Sequence, residues 1–142
     1  MADAPAARGL LDTSAVIGLG RIDPDALPLE LALSAVTLAE LAAGPHATDD
    51  LAERARRQQR LQLTEATFDA LPFDANCARA YGRVYAETRA AGRKARGRRA
   101  VDLLIAATAL AAELPLYTAN PADFEDLDEL IEIKPVTPLT DP

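Results

Sequence analysis

Cysteine is almost absent. Cys77 is the only one in 142 residues, so no disulfide can form within the chain, which suits a reducing compartment. Histidine is as scarce: His46, the only one, follows Gly44-Pro45 in an expected solvated loop, so a His-dependent mechanism is not indicated. Long apolar runs are missing too. The run 103–112 contains only apolar residues and Thr108, about half the length a bilayer span requires. The opening stretch MADAPAARGL lacks the apolar core of a secretory leader. These absences predict a soluble, cytoplasmic protein with no membrane partner.

What is present supports a packed core. The chain is 49% hydrophobic, and its length predicts a single domain over 1–142 that buries roughly two-thirds of its unfolded surface. Charge is unevenly placed. The net charge is −7, yet 89–99, RAAGRKARGRR, holds Arg89, Arg93, Lys94, Arg96, Arg98 and Arg99 with no acid among them. The remainder therefore carries thirteen net negative charges. An acidic protein with one basic segment is not a general nucleic-acid binder, but it can grip phosphates at one place. The competing reading is an exposed helix connection kept soluble by its charge.

Strand and helix patterns alternate. GLLDTSAVIGL reads as a buried strand over 9–11 that turns at Asp12 into a helix, and 29–36 as a second strand, with Thr37 opening the next helix. A long amphipathic helix is expected over 47–68, and a brief extended piece over 71–73. Asp74 then caps a helix on which Cys77, Tyr81, Val84, Tyr85 and Thr88 recur at helical spacing, making Cys77 an inert core residue. A helix from about Arg99 and strands over 115–119 and 130–136 complete the chain. Such alternation predicts an α/β protein with a parallel sheet covered on both faces, and ligands outside the carboxyl ends of its strands.

Four acids fall where that rim is expected. Asp12 follows the first strand, although it also suits a helix cap. Glu40 lies beyond the second, although Thr37-x-x-Glu40 matches a capping box. Asp102 heads the buried run, either complementing a helix N-terminus or standing as a costly unpaired carboxylate. Asn120 and Asp123, in TANPADF, follow the fourth strand and also suit a turn. Carboxylates gathered at one rim repel each other unless a cation joins them. Oxygen donors without His or Cys select a hard divalent ion, Mg²⁺ or Mn²⁺.

The stretches LLDTSAVIGL, SAVTLAELAAG, GRRAVDLLIAATAL and LPLYTANPADF resemble, in order and spacing, the four motifs of the PIN-domain ribonucleases, and more narrowly the VapC-type toxins of toxin–antitoxin modules. The resemblance covers about 9–137. It implies a three-layer α/β/α fold and a Mg²⁺-dependent endoribonuclease that leaves 5′-phosphate and 3′-hydroxyl ends. It also implies a homodimer restrained by a small antitoxin protein. Asp12, Glu40 and Asp102 would build the metal site, with Asp123 as the fourth charged contributor and Asn120 as a neutral orienting group. Thr13 and Ser14 would hydrogen-bond behind them, and Arg93, Lys94, Arg96, Arg98 and Arg99 would meet RNA phosphates. One position departs from the pattern: an arginine commonly precedes the asparagine, and here Ala119 does.

Two other classes compete. A phospho-acceptor signalling domain would want paired acids after the first strand, where Asp12 stands alone. A catalytically idle module that only binds a partner would not need all the ligand-type residues present here.

Overall fold

The computed structural model describes residues 7–140. Most of the N-terminal stretch read above for a leader, and the last two residues of the expected domain, lie outside them. The elements run β1 (Arg8–Leu11), α1 (Thr13–Ile17), β2 (Glu30–Ser34), α2 (Ala35–Ala43), α3 (Leu51–Thr67), β3 (Ala70–Leu71), α4 (Ala75–Ala90), α5 (Arg98–Ala112), β4 (Leu116–Thr118) and β5 (Ile133–Pro135). Short 3-10 turns join them, the most important being Pro121–Leu127.

All the strand pairs are parallel, in the order β3-β2-β1-β4-β5. Successive residues of each inner strand point to opposite faces. Leu10, Ala32 and Leu116 join one core with Val84, Leu103, Ile105 and Phe124 from α4, α5 and the turn. Leu11, Leu33 and Tyr117 join another with Ala15, Val16 and Leu41 from α1 and α2. This alternation makes the three layers of the expected α/β/α fold. Order reverses between β1 and β4, so their carboxyl ends open a crevice.

Several boundaries differ from the pattern-based expectation. The second strand stops at Ser34, whose hydroxyl accepts the Val36 N–H at 2.9 Å and starts α2. Thr37 is therefore inside the helix, fully buried, and caps nothing. The long helix begins at Leu51 rather than 47, because Asp50 accepts the Ala52 N–H. The 71–73 piece shrinks to Ala70–Leu71, since Pro72 offers no N–H to extend the ladder. The last strand keeps only Ile133–Pro135 of the expected 130–136. Asp74 does cap α4, and Cys77 is buried with its thiol pushed up by that burial. Among the described residues no helix is long and apolar enough to cross a membrane.

Candidate active site

Asp12 ends β1 and begins α1. Its Oδ1 accepts the Ala15 N–H at 2.9 Å, so the capping role is real. Yet the same oxygen accepts the Ser14 hydroxyl at 2.7 Å, and Oδ2 accepts the Thr118 hydroxyl at 2.5 Å. Three donors hold one carboxylate that is only 4% exposed and has no ion-pair partner among the described residues. Burial pushes the Asp12 carboxyl above its ordinary range; the hydrogen bonds oppose this, and the Asp123 charge adds to it.

Glu40 is not the partner of a capping box. With Ser34 as the cap, Glu40 lies in the second turn of α2, beyond reach of the first N–H groups. Instead its Oε1 accepts the Thr13 hydroxyl at 2.5 Å, and the Thr13 oxygen lies 3.2 Å from that of Thr37. Asp102 likewise sits past the first turn of α5, where the helix dipole contributes little.

These groups share one cavity of about 210 Å³. Asp12, Glu40, Asp102 and Asp123 line it, with Thr13, Ser14, Asn120 and a single cation, Arg98. Larger hollows exist elsewhere on the surface, but two of them hold no acid and the third only Glu113 and Glu132, beside Arg79 and Arg83. Asp102 carries the electrostatic signature. Burial first, then the charges of Asp123, Asp12 and Glu40, push its carboxyl from an ordinary 3.8 to about 6, against Arg98. The acids therefore act on each other as one set. Asp123 contributes charge, while exposed Asn120 makes no capping hydrogen bond with its side chain and gives its N–H to Thr118 Oγ1 at 2.9 Å.

As placed, no three His, Cys, Asp or Glu side chains among the described residues are arranged to hold a metal ion. The fit to a divalent cation rests on the donor set: oxygen ligands only, mutually repelling, at a strand-end crevice that holds one arginine.

The basic segment divides in three. Arg98 reaches the acidic cavity. Arg93 donates to Asp126 Oδ1 at 2.8 Å and to the Ala122 carbonyl at 3.4 Å, and Arg99 donates to the Asp123 carbonyl at 3.4 Å. Lys94 and Arg96 are exposed and line a separate hollow. Sequence reasoning missed Thr118 and Thr37. A threonine closing a strand, as in LYT, was the available signal for the first.

The family and the fold are shared with known proteins. The PIN domain model matches residues 9–130. Ribonuclease VapC5 of Mycobacterium tuberculosis is 39% identical over 135 residues, covering 90% of this chain and 93% of that protein. Ribonuclease VapC8 of the same species is 41% identical over 103 residues, covering 71% and 89%. The crystal structure of VapBC-5, a member of the VapBC family of toxin–antitoxin systems from M. tuberculosis, superposes with a TM-score of 0.78 at 35% identity. That match covers 92% of this chain and 98% of the other. By motif, model, relatives and fold, the chain belongs to the PIN-domain family.

Proposed function

We propose that this chain is a Mg²⁺-dependent endoribonuclease and the toxin of a toxin–antitoxin pair. The observation that carries the proposal is the four-acid cavity, in which burial first and then the other three carboxylates push Asp102 up to about 6. Its relatives' names, Ribonuclease VapC5 and VapC8, and the toxin–antitoxin origin of its structural neighbour support it.

Asp12 and Asp102 would hold the cation, with Glu40 and Asp123 completing its surroundings; when bound, the cation neutralises phosphoryl charge and makes water a better nucleophile. The protein's own contribution is orientation. Ser14, Ala15 and Thr118 fix both Asp12 oxygens, and Thr13 fixes Glu40 Oε1. Glu40 and Asp123, beside the cation, would orient the attacking water and help take its proton. Arg98 lies where the scissile phosphate would enter. The products would be 5′-phosphate and 3′-hydroxyl ends. A cytoplasmic homodimer, restrained by a small antitoxin that covers the cleft, completes the proposal.

The test is direct. Purified protein should cut RNA with Mg²⁺, stop in chelator, and leave 5′-phosphate ends that sequencing can map. Asp102→Asn should not cut. Expression alone should arrest growth, and a small partner encoded alongside should relieve it. Cutting that persists in chelator or in Asp102→Asn would refute the metal site. A folded wild type that never cuts RNA would favour the idle partner-binding module.

A further inference from the structure

A strongly cationic hollow lies apart from the acidic cavity. It measures about 400 Å³ and is lined by Tyr85 and Arg89 of α4 and by Gly92, Arg93, Lys94 and Arg96 of the segment that follows. No acid contributes to it. Of its cations only Arg93 is paired; Arg89, Lys94 and Arg96 make no ion pair or side-chain hydrogen bond among the described residues. Three unpaired cations beside one another repel, and on a chain with net charge −7 there was no shortage of acids to pair them. Exposed as they are, these cations are available to an anion supplied from outside.

The hollow also presents an aromatic face. Tyr81, Tyr85 and Arg89 succeed one another at four-residue spacing, on one face of α4. Tyr81 packs against the core, and its ring centroid lies 6.1 Å from that of Tyr85 at 42°. Tyr85 is thus propped from behind while 39% of it stays exposed. A volume of this size lies in the range of about 300–1,000 Å³ that small-molecule sites occupy, more than a bare ion needs.

The walls are fixed in place. Gly92 has φ +76°, which ends α4 by giving the Gly92 N–H to Arg89 and the Arg93 N–H to Thr88, at 2.9 and 3.0 Å. Arg93 then ties the segment to Asp126 on the turn that carries Asp123. Two residues beyond Arg96, Arg98 enters the acidic cavity.

We propose that this hollow is a nucleotide subsite on the RNA path, a few nucleotides from the cleaved bond. Tyr85 stacks a base, while Arg89, Lys94 and Arg96 hold flanking phosphates. Arg93 is a strut that positions the wall and touches no phosphate. The proposal rests on the ribonuclease reading and adds to it where the strand runs. An acidic peptide of a partner protein is the competing occupant. The Arg96–Arg98 continuity with the acidic cavity favours RNA.

The experiment measures binding of a fluorescent, mixed-sequence single-stranded RNA oligonucleotide in chelator, where cutting is suppressed, across a KCl series. Tyr85→Leu should weaken binding roughly tenfold with the salt slope kept, and Tyr85→Phe should restore it. Lys94→Gln and Arg96→Gln should each flatten the log–log salt slope by about 0.7. Arg79→Gln and Arg83→Gln, which lose the same charge beside a different hollow, should change neither, and melting curves should show all variants folded. Tyr85→Leu that binds like wild type, or slopes that survive both charge changes, would overturn the subsite while leaving the wild type an RNA cutter. Variants that bind RNA normally but lose the antitoxin would assign the hollow to the partner and overturn it equally. A wild type that neither binds nor cuts RNA would remove both readings together.

Discussion

Thr118 Oγ1 donates to Asp12 Oδ2 at 2.5 Å, joining the ends of β1 and β4 across 106 residues of sequence. Both side chains are buried. The same hydroxyl oxygen accepts the Asn120 N–H, so one threonine orients an acid and shapes the turn that delivers Asp123.

Thr118→Val keeps the volume and deletes both bonds. It should cost about 1–3 kcal/mol at neutral pH, since a buried carboxylate loses a donor. That bond lowers the Asp12 pKa, so its loss raises a pKa already above the ordinary value. The penalty is therefore present when Asp12 is charged and is relieved as pH falls. Urea unfolding at neutral and acidic pH should show the gap to wild type narrowing in acid; a gap independent of pH would count against the role.

Asp102 gives a second pH dependence. Its folded pKa of about 6 exceeds its ordinary 3.8, so between those values the folded chain binds more protons than the unfolded one. Metal-free stability should then fall as pH rises from about 4 to about 6 and level off above. Asp102→Asn should lack this part of the slope and melt at or above wild type in chelator. Mg²⁺ at a hundred times its Kd should restore roughly 2.7 kcal/mol to wild type and far less to the variant. Equal Mg²⁺ responses in the two proteins would exclude Asp102 from the site.

How far the sequence reveals this architecture depends on whether a feature is local. Asp12 at a strand-to-helix turn, Asp74 as a cap and Asp102 at the head of an apolar run are legible because periodicity and capping act within a few residues. Ser34 and Thr37 compete for one cap three residues apart, and the pattern alone favoured the wrong one. Once Ser34 takes the Val36 N–H, Glu40 is released into the cavity. The Arg93–Asp126 pair could not be read at all, and Thr118 offered only its place at the end of a strand. Each depends on elements brought together by sheet order or packing, and the basic run looks uniform until packing separates Arg93 from Lys94 and Arg96.

That pair supplies a third prediction. Arg93 and Asp126 side chains are 24% and 7% exposed, and Asp126 Oδ2 is buried without a hydrogen-bond partner among the described residues. Arg93→Ala would leave the whole carboxylate unpaired and should cost about 3 kcal/mol. Adding Asp126→Ala should recover much of that loss. Denaturant titration of the two singles and the double closes the cycle, and additive losses would mean the two side chains do not communicate.

A fourth concerns strain remote from the cleft. Glu113 ends α5 with φ +56°, the only described residue other than glycine at positive φ. Glu113→Gly should stabilise the fold by about 0.5–1 kcal/mol, as glycine adopts this conformation without a Cβ clash. A lower melting temperature would show that the Glu113 side chain makes a compensating contact.

The position of β4 has a consequence for timing. β1 lies at the centre of the sheet with β4 beside it, so the cleft is closed by the C-terminal stretch of the chain. A growing polypeptide possesses Asp12 and Glu40 long before it possesses Asp102, Thr118 and Asp123. Until β4 docks, Asp12 has neither its Thr118 donor nor one of the two neighbours that hold its strand. Contacts so distant in sequence are slow to form. The site is thereby complete only once β4 has paired with β1, however early its other acids are in place.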